Sequence, residues 1–181
     1  KVPVVRWPGG CFADEYNWRH GIGPEKSRVS TVNSWGNVIE PNSFGTDEYM
    51  DFVDQIGSEA YISVNVGSRT PAEAAEWLEY LTTDQPSTLG KQRAANGHPK
   101  PYRIKYLGIG NESWGCGGGM TGDHDLLGCV EIDGFDDLAL GALQASFRDR
   151  GCIESEDGCH RSLPGRHRLL HGLGAQFDQW H

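Results

Sequence analysis

The fold class is decided by residues 46–65, which read Thr-Asp-Glu-Tyr-Met-Asp-Phe-Val-Asp-Gln-Ile-Gly-Ser-Glu-Ala-Tyr-Ile-Ser-Val-Asn. Thr46 can cap a helix, and the two acidic residues after it favour a helix N-terminus. Apolar side chains then recur at three- and four-residue spacing as far as Gly57, which predicts an amphipathic helix that ends at this glycine. Residues 61–65 form a short apolar run that predicts a strand. A helix followed directly by a strand is typical of a parallel α/β fold.

The same alternation continues on both sides of this stretch. Residues 2–6 are mostly apolar and predict an earlier strand, and residues 104–109 predict a later one. Residues 70–73, Thr-Pro-Ala-Glu, form a capping box with proline at the first helical position, so we expect a second helix there. Its buried stripe is expected to consist of Ala74, Trp77, Leu78 and Leu81. The order strand, helix, strand, helix, polar loop, strand indicates parallel βα units.

The composition excludes several classes of protein. The 181 residues are enough for one ordinary domain, and an apolar fraction of 37% supports a packed core. The net charge of −9 argues against a nucleic-acid partner, because the chain would repel phosphate groups. The chain has no apolar run of about eighteen residues, so we expect no membrane partner. It begins at Lys1 without a leader-like segment, and we interpret its natural beginning as missing, which leaves a cytoplasmic or a secreted location open.

Residues 122–181 differ in composition from residues 1–121. All lysine, tyrosine and asparagine residues of the chain lie in the first segment. Within the second, residues 136–147 have helical spacing, residues 148–164 are polar without a period, and we find no further strand. We therefore expect an irregular or disordered tail. A frame shift near codon 122 would explain the joint loss of three residue types with A/T-rich codons, and a lineage-specific insertion is the alternative.

Polar residues stand at the ends of the three predicted strands, where Arg6, Asn65 and the pair Asn111–Glu112 occur. In parallel α/β folds the loops after the strands converge on one face, where binding and catalysis take place. Glu112 follows a buried strand and is placed to donate a proton, and Asn111 can hydrogen-bond a hydroxylated substrate. The alternative is that Glu112 is simply solvated and that the tryptophans near these loops belong to the core.

Four stretches carry a family resemblance. They are residues 6–18 (Arg-Trp-Pro-Gly-Gly-Cys-Phe-Ala-Asp-Glu-Tyr-Asn-Trp), 42–45 (Asn-Ser-Phe-Gly), 61–68 (Tyr-Ile-Ser-Val-Asn-Val-Gly-Ser) and 108–118 (Gly-Ile-Gly-Asn-Glu-Ser-Trp-Gly-Cys-Gly-Gly). In letters, order and spacing they resemble the α-L-arabinofuranosidases of glycoside hydrolase family 51, over roughly residues 1–121.

The resemblance implies a fold, an activity and a partner. Members of the family have a (β/α)8 TIM barrel with an added β-sandwich, so residues 1–121 would be a fragment of the catalytic barrel, covering about strands 2 to 4. Members hydrolyse terminal non-reducing α-L-arabinofuranosyl residues from arabinan or arabinoxylan side chains, retaining configuration by double displacement. The implied partner is an arabinose-containing oligosaccharide or polysaccharide. No metal or cofactor is implied, and we expect the parent enzyme to be a homo-oligomer.

The resemblance also assigns roles to residues. Glu112 would be the acid/base, and Asn111 would hold the 2-hydroxyl of the sugar. Arg6 and Cys11 would line the subsite for the arabinose ring, and Asn42 and Trp35 match a loop that reaches the substrate. The family nucleophile is a glutamate on barrel strand 7, and no residue of this chain matches it, so we expect the chain itself to be inactive.

Three alternatives remain at this point. Cys129, Cys152, Cys159 and His160 could suggest a zinc site, but they contain no Cys-x-x-Cys pair, so we expect no metal. The chain could be a non-catalytic arabinoside-binding fragment. It could also come from another retaining glycosidase of the same clan, although the Pro-Gly-Gly-Cys block argues against this.

Overall fold

The computed structural model describes residues 1–112 and the backbone of one further strand at 128–131. The elements in chain order are β1 (Val4–Trp7), β2 (Thr31–Asn33), β3 (Val38–Glu40), α1 (Thr46–Ile56), β4 (Glu59–Val64), α2 (Pro71–Thr82), α3 (Thr88–Ala95), β5 (Tyr106–Ile109) and β6 (Gly128–Glu131). Short 3₁₀ turns follow β1, the first of them spanning Cys11–Asp14. None of the helices described is long and apolar enough to cross a membrane.

The main sheet has the strand order β1-β4-β5-β6. Strands β1, β4 and β5 are parallel, with Arg6 beside Tyr61 and Tyr61 beside Tyr106 in the register. The predicted parallel βα units are therefore confirmed. A parallel arrangement with intervening helices is also what a piece of a (β/α)8 barrel requires.

Strand β6 corrects the expectation of an entirely irregular tail. It pairs antiparallel with β5, with Gly108 opposite Cys129, whereas the next strand of a (β/α)8 barrel would be parallel. The sequence analysis missed this strand because a four-residue run has too few side chains to show a period. Its backbone instead pairs with the edge of β5, whose N–H and C=O groups need partners. The suggested helix at 136–147 and the zinc residues Cys152, Cys159 and His160 lie outside the described residues.

One face of the sheet packs against helices α1 and α2. Because side chains alternate along a strand, Ile62 and Val64 of β4 lie on the same face as Leu107 and Ile109 of β5. All four are buried, as is the predicted stripe of α2. The indole of Trp77 lies at the centre of this core, with ring centroids 5.7 Å from Trp7 and 6.3 Å from Trp18. The opposite face carries the polar side chains of the site.

The two predicted helices are confirmed, with one change at a cap. In α2 the Thr70 hydroxyl accepts from the Glu73 amide at 3.2 Å, and the Glu73 carboxylate accepts from the Thr70 amide at 2.9 Å. In α1, Gly45 rather than Thr46 is the N-cap residue. Thr46 is buried and accepts a hydrogen bond from the Trp77 indole N–H at 3.1 Å, so its hydroxyl serves the core and not the helix end.

Two small elements were not predicted. Helix α3 occupies part of the expected polar loop, and its eight residues show little amphipathic spacing. Its buried Arg93 is held by the backbone carbonyls of Tyr80, Thr83 and His98 at 2.6–3.1 Å. Strands β2 and β3 form an antiparallel hairpin whose strands, at three residues each, are too short to show a period.

Candidate active site

The face of the sheet opposite the helices is polar and aromatic. Arg6, Tyr61 and Tyr106 stand side by side on it, one from each parallel strand. The Arg6 guanidinium carbon lies 5.8 Å from the centroid of the Tyr61 ring, and the Tyr61 and Tyr106 rings meet edge to face at 6.1 Å. Position 108 on this face is glycine, and a Cβ there would lie 2.7 Å from the Tyr61 ring. The missing side chain therefore makes room for Tyr61.

Arg6 and Asn111 are in direct contact at the ends of β1 and β5. The Arg6 guanidinium donates to the Asn111 side-chain oxygen Oδ1 and to the Gly9 carbonyl, the latter at 3.0 Å. The Asn111 side-chain nitrogen Nδ2 lies 3.8 Å from the Cys11 sulfur. The structure therefore brings together three predicted site residues from two separate loops. Cys11 is disulfide-bonded, which the sequence analysis did not predict.

Glu112 follows in a strained turn. Gly110 has a φ of 73° and Glu112 a φ of 43°, so both residues are in the left-handed region. A non-glycine residue is uncommon there, and such residues concentrate at functional sites. Strand β5 is buried, as predicted, whereas the side chain of Glu112 is exposed to solvent. Glu112 thus directly follows Asn111 at the end of β5, with its side chain exposed.

Asp14 is a buried residue of this region that the sequence analysis did not select. Only 2% of it is exposed, and it stands at the end of the turn after β1. Its Oδ1 accepts the amides of Val66 and Gly67 at 3.1 and 3.2 Å, and its Oδ2 accepts the amide of Asn111 at 2.9 Å. The sequence contains one sign that Asp14 is buried: it directly follows the apolar residues Phe12 and Ala13.

Asn65, at the end of the second predicted strand, has a structural role. Its Nδ2 donates to the Tyr16 carbonyl and to the Ser68 hydroxyl, both at 3.0 Å, and its Oδ1 accepts the Ser68 amide at 2.9 Å. Both ends of the side-chain amide are therefore used to hold the loop after β4.

Asn42 and Trp35 belong to the hairpin region, and within residues 1–112 their hydrogen bonds are to that region and not to the Arg6–Asn111 pair. Asn42 is 6% exposed, and its Nδ2 donates to the Val29 carbonyl at 2.7 Å, so its amide closes the base of the hairpin. Trp35 lies in the turn between β2 and β3 and is 55% exposed. It is placed to contact a molecule in solvent, whereas the Asn42 side-chain nitrogen donates within the hairpin region.

A cleft of about 440 Å³ separates the hairpin from the end of β1. Part of its wall is aromatic, formed by Trp7, Phe12, Tyr16 and Phe44, and polar residues such as Asn42 and Glu40 also line it. Flat apolar rings of this kind can pack against the faces of sugar rings. Burial raises the pKa of the Tyr16 phenol well above its usual range, so the cleft wall carries no phenolate at neutral pH.

An ion pair between the largely buried Arg28 side chain and the half-exposed Glu48 side chain holds the segment that carries Asn42. The Arg28 guanidinium donates to the carbonyls of Asn42 and Ser43 at 2.9 and 3.1 Å and to the Glu48 carboxylate at 2.7 and 2.9 Å. Partial burial opposes ionisation of Glu48, but the hydrogen bonds from Arg28 and from the Gly45 amide outweigh it, so the Glu48 pKa is lowered.

Among residues 1–112 no group of three His, Cys, Asp or Glu side chains is arranged to hold a metal ion.

An arginine, an asparagine and a glutamate thus occur at the carboxyl ends of parallel strands, where many α/β enzymes have their active sites. Comparison with known proteins identifies the family. The family model described as the alpha-L-arabinofuranosidase 1 domain matches residues 1–121. The chain therefore belongs to that family, which confirms the resemblance found in the sequence.

This chain is similar to part of several longer proteins. An intracellular exo-alpha-L-arabinofuranosidase from Bacteroides ovatus is 54% identical over 124 residues, which are 68% of this chain and 24% of the relative. The crystal structure of a family 51 arabinofuranosidase from Xanthomonas axonopodis pv. citri has 53% identity and a TM-score of 0.64, over 66% of this chain and 24% of the other. An arabinose complex of the Thermotoga maritima enzyme has 43% identity and the same TM-score, over 66% and 25%. The chain thus spans about a quarter of these proteins.

Proposed function

We propose that this chain carries the sugar-binding and acid/base part of an α-L-arabinofuranosidase. The reaction is the hydrolysis of terminal non-reducing α-L-arabinofuranosyl residues from arabinan or arabinoxylan side chains, with retention of configuration. The observation that carries the proposal is the contact between the Arg6 guanidinium and the Asn111 side chain, because Glu112 follows Asn111 in the chain and its side chain is exposed.

The Arg6 contact determines what Asn111 can offer to a sugar. Because the guanidinium donates to Oδ1 of Asn111, the amide is oriented with Nδ2 as its other end. Nδ2 has two hydrogens and a single long contact to the Cys11 sulfur at 3.8 Å, so it can donate to a ring hydroxyl. We assign this hydrogen bond to the 2-hydroxyl of the arabinofuranose. The remaining N–H groups of Arg6 would bind further hydroxyls of the same ring.

Glu112 would act as the general acid and then as the general base. Cleavage of a furanoside builds positive charge on the ring while the departing oxygen takes up a proton, which Glu112 would supply. In the second step the same carboxylate would accept a proton from water. Retention by double displacement also needs a nucleophilic carboxylate about 5–5.5 Å from the acid/base.

Asp14 lies at this end of the sheet but is not placed to act as the nucleophile. Asp14 is the acidic residue that contacts Asn111, but both of its oxygens accept backbone amides. A nucleophile needs an oxygen that can approach the anomeric carbon. We therefore propose that the 181-residue chain binds arabinosides and does not hydrolyse them. A non-catalytic arabinoside-binding fragment describes the chain itself, and a retaining arabinofuranosidase describes its parent.

The proposal is tested by titrating the purified chain with an arabinotriose in a calorimeter and by assaying turnover of a nitrophenyl α-L-arabinofuranoside. We expect saturable binding without release of nitrophenol. Asn111→Ala removes the proposed hydroxyl contact and should weaken binding on the order of tenfold. The matched control is Gln92→Ala, which removes an exposed side-chain amide from α3 and should bind as the wild type does.

Three results would contradict the proposal. Absence of binding in a folded wild-type chain would remove the sugar-binding role. Turnover that Glu112→Gln abolishes would refute the claim that the chain itself is inactive. Stronger binding of a xylopyranoside than of the arabinofuranoside would favour another glycosidase of the same clan.

A further inference from the structure

Asp14 is a buried carboxylate without an ion-pair partner. Among the ion pairs of residues 1–112, none involves Asp14, although the side chain is nearly fully buried. Burying an ionised carboxylate is unfavourable unless hydrogen bonds replace its water. Here three backbone amides do so, at 2.9–3.2 Å. Each of these bonds is charge-assisted and therefore stronger than a bond between neutral groups.

The three amides come from different parts of the sheet end. Val66 and Gly67 belong to the loop after β4, and Asn111 belongs to the turn after β5. Asp14 itself follows β1, and its own carbonyl accepts the Ser68 amide at 3.2 Å and the Ser68 hydroxyl at 2.8 Å. One residue thus connects the ends of all three parallel strands.

The turn that Asp14 holds is the one that presents Glu112. Asn111 lies between Gly110 and Glu112, both of which have left-handed φ angles. In this turn the backbone N–H of Asn111 donates a hydrogen bond to Oδ2 of Asp14, at 2.9 Å. Without that acceptor the buried N–H would lose its partner, and the strained turn could relax toward ordinary backbone angles.

We propose that Asp14 is a positioning residue, whose carboxylate fixes the backbone of the Asn111–Glu112 pair against the loop after β4. This proposal rests on the proposed function, because it concerns how the acid/base and the hydroxyl-binding amide are held in place. Both oxygens of the carboxylate are needed: Oδ1 serves Val66 and Gly67, and Oδ2 serves Asn111. An asparagine at this position has one acceptor oxygen and would turn an NH₂ group toward one of the two sets of amides.

The first test uses the wild-type chain and amide hydrogen exchange followed by NMR. The Asn111 amide lies outside the strand ladders of the sheet, so its protection depends on Asp14. We expect it to exchange far more slowly than the amide of Asp84, which lies in an exposed turn. An Asn111 amide that exchanges as fast as that of Asp84 would overturn the proposal without any variant.

The second test compares Asp14→Asn with Asp54→Asn, which neutralises an exposed carboxylate on α1. In Asp14→Asn the Asn111 amide should exchange on the order of tenfold to a hundredfold faster, and its proton resonance should move upfield. The amide of Val53, in the buried part of α1, should change less, because the effect is local rather than a loss of global stability. Asp54→Asn should leave both amides as in the wild type.

Binding of a nitrophenyl α-L-arabinofuranoside, measured by NMR titration of the same samples, completes the test. We expect Asp14→Asn to bind at least about tenfold more weakly than the wild type and Asp54→Asn to bind equally. If the Asn111 amide exchanges faster in Asp14→Asn but this variant binds the arabinofuranoside as tightly as the wild type, the positioning role is overturned. A wild type that binds no arabinofuranoside would refute the proposed function, while the exchange rates would still decide whether Asp14 fixes the Asn111 backbone.

Discussion

Gly110→Ala tests whether the turn at the end of β5 is as crowded as the structure shows. A Cβ on Gly110 would lie 2.6 Å from the Val66 methyl Cγ2, far inside van der Waals contact, and the residue has a φ of 73°. The left-handed backbone costs an alanine about 1–2 kcal/mol, and crowding of a packed site costs about 1–3 kcal/mol. We therefore expect Gly110→Ala to lower the free energy of unfolding by about 2–5 kcal/mol.

Gly57→Ala is the matched control. Gly57 has a φ of 65°, and a Cβ there would meet only the Lys1 side chain at 3.6 Å, which is an ordinary contact. It should therefore show the backbone cost alone, about 1–2 kcal/mol. The reduced chain entropy of the unfolded state is similar in both variants and cancels when they are compared. The expected difference between the two variants is thus about 1–3 kcal/mol, and it measures the steric conflict with Val66.

Urea unfolding followed by tryptophan fluorescence provides the measurement, with the slope m compared between variants to confirm that the unfolded state is unchanged. Gly110→Ala should also weaken arabinofuranoside binding, because the same turn carries Asn111 and Glu112, whereas Gly57→Ala should not. Equal destabilisation by the two substitutions would refute the close approach of β5 and the loop after β4, and with it the proposed geometry of the turn.

Three further substitutions have expected outcomes that unfolding measurements can check. Thr70→Ala removes the capping hydroxyl of α2 and should lower the free energy of unfolding by about 1 kcal/mol. Trp77→Ala empties the centre of the core and should cost about 3–5 kcal/mol. Glu48→Gln should destabilise the chain near neutral pH by breaking the pair with Arg28. The folded-state pKa of Glu48 is lowered from 4.5. The stability that the ionised carboxylate contributes is therefore fully present above pH 4.5 and is lost as the pH falls through the folded-state pKa.

For each of these three substitutions, one result would contradict the structure. A Thr70→Ala variant as stable as the wild type would mean that the capping box does not hold α2. A small cost for Trp77→Ala would place the indole outside a packed core. A difference between Glu48→Gln and the wild type that persists unchanged at low pH would show that the glutamate acts through packing and not through its charge.

Local patterns predicted the helices and the parallel strands because the physical causes are local. The capping box at Thr70 and the stop at Gly57 depend on residues within one turn of the chain, and both are present in the structure. Thr46 was wrongly expected to be the cap of α1, because its hydroxyl bonds to Trp77, far along the chain. Strand β6 and the hairpin are short, and each depends on pairing with a partner strand that a local pattern does not reveal.

The candidate site could be predicted in part for the same reason. The resemblance supplied Arg6, Cys11 and Asn111, and the structure brings them together. It gave no reason to select Asp14, whose role appears only when the amides of two other loops converge on its carboxylate. The expected substrate contact of Asn42 stays a prediction; the structure adds a bond from its side-chain nitrogen to the Val29 carbonyl, a contact between residues thirteen positions apart.

The central claim is that Glu112 stands beside a bound arabinofuranose. The most direct measurement is an NMR titration with a nitrophenyl α-L-arabinofuranoside that follows the side-chain carboxyl carbon of Glu112 and the amide of Asn111 together. We predict that both signals shift and saturate with one dissociation constant, and that the carboxyl signal of the exposed Glu25 does not move. Saturation at Asn111 without any change at Glu112, or no saturation at either residue, would contradict it.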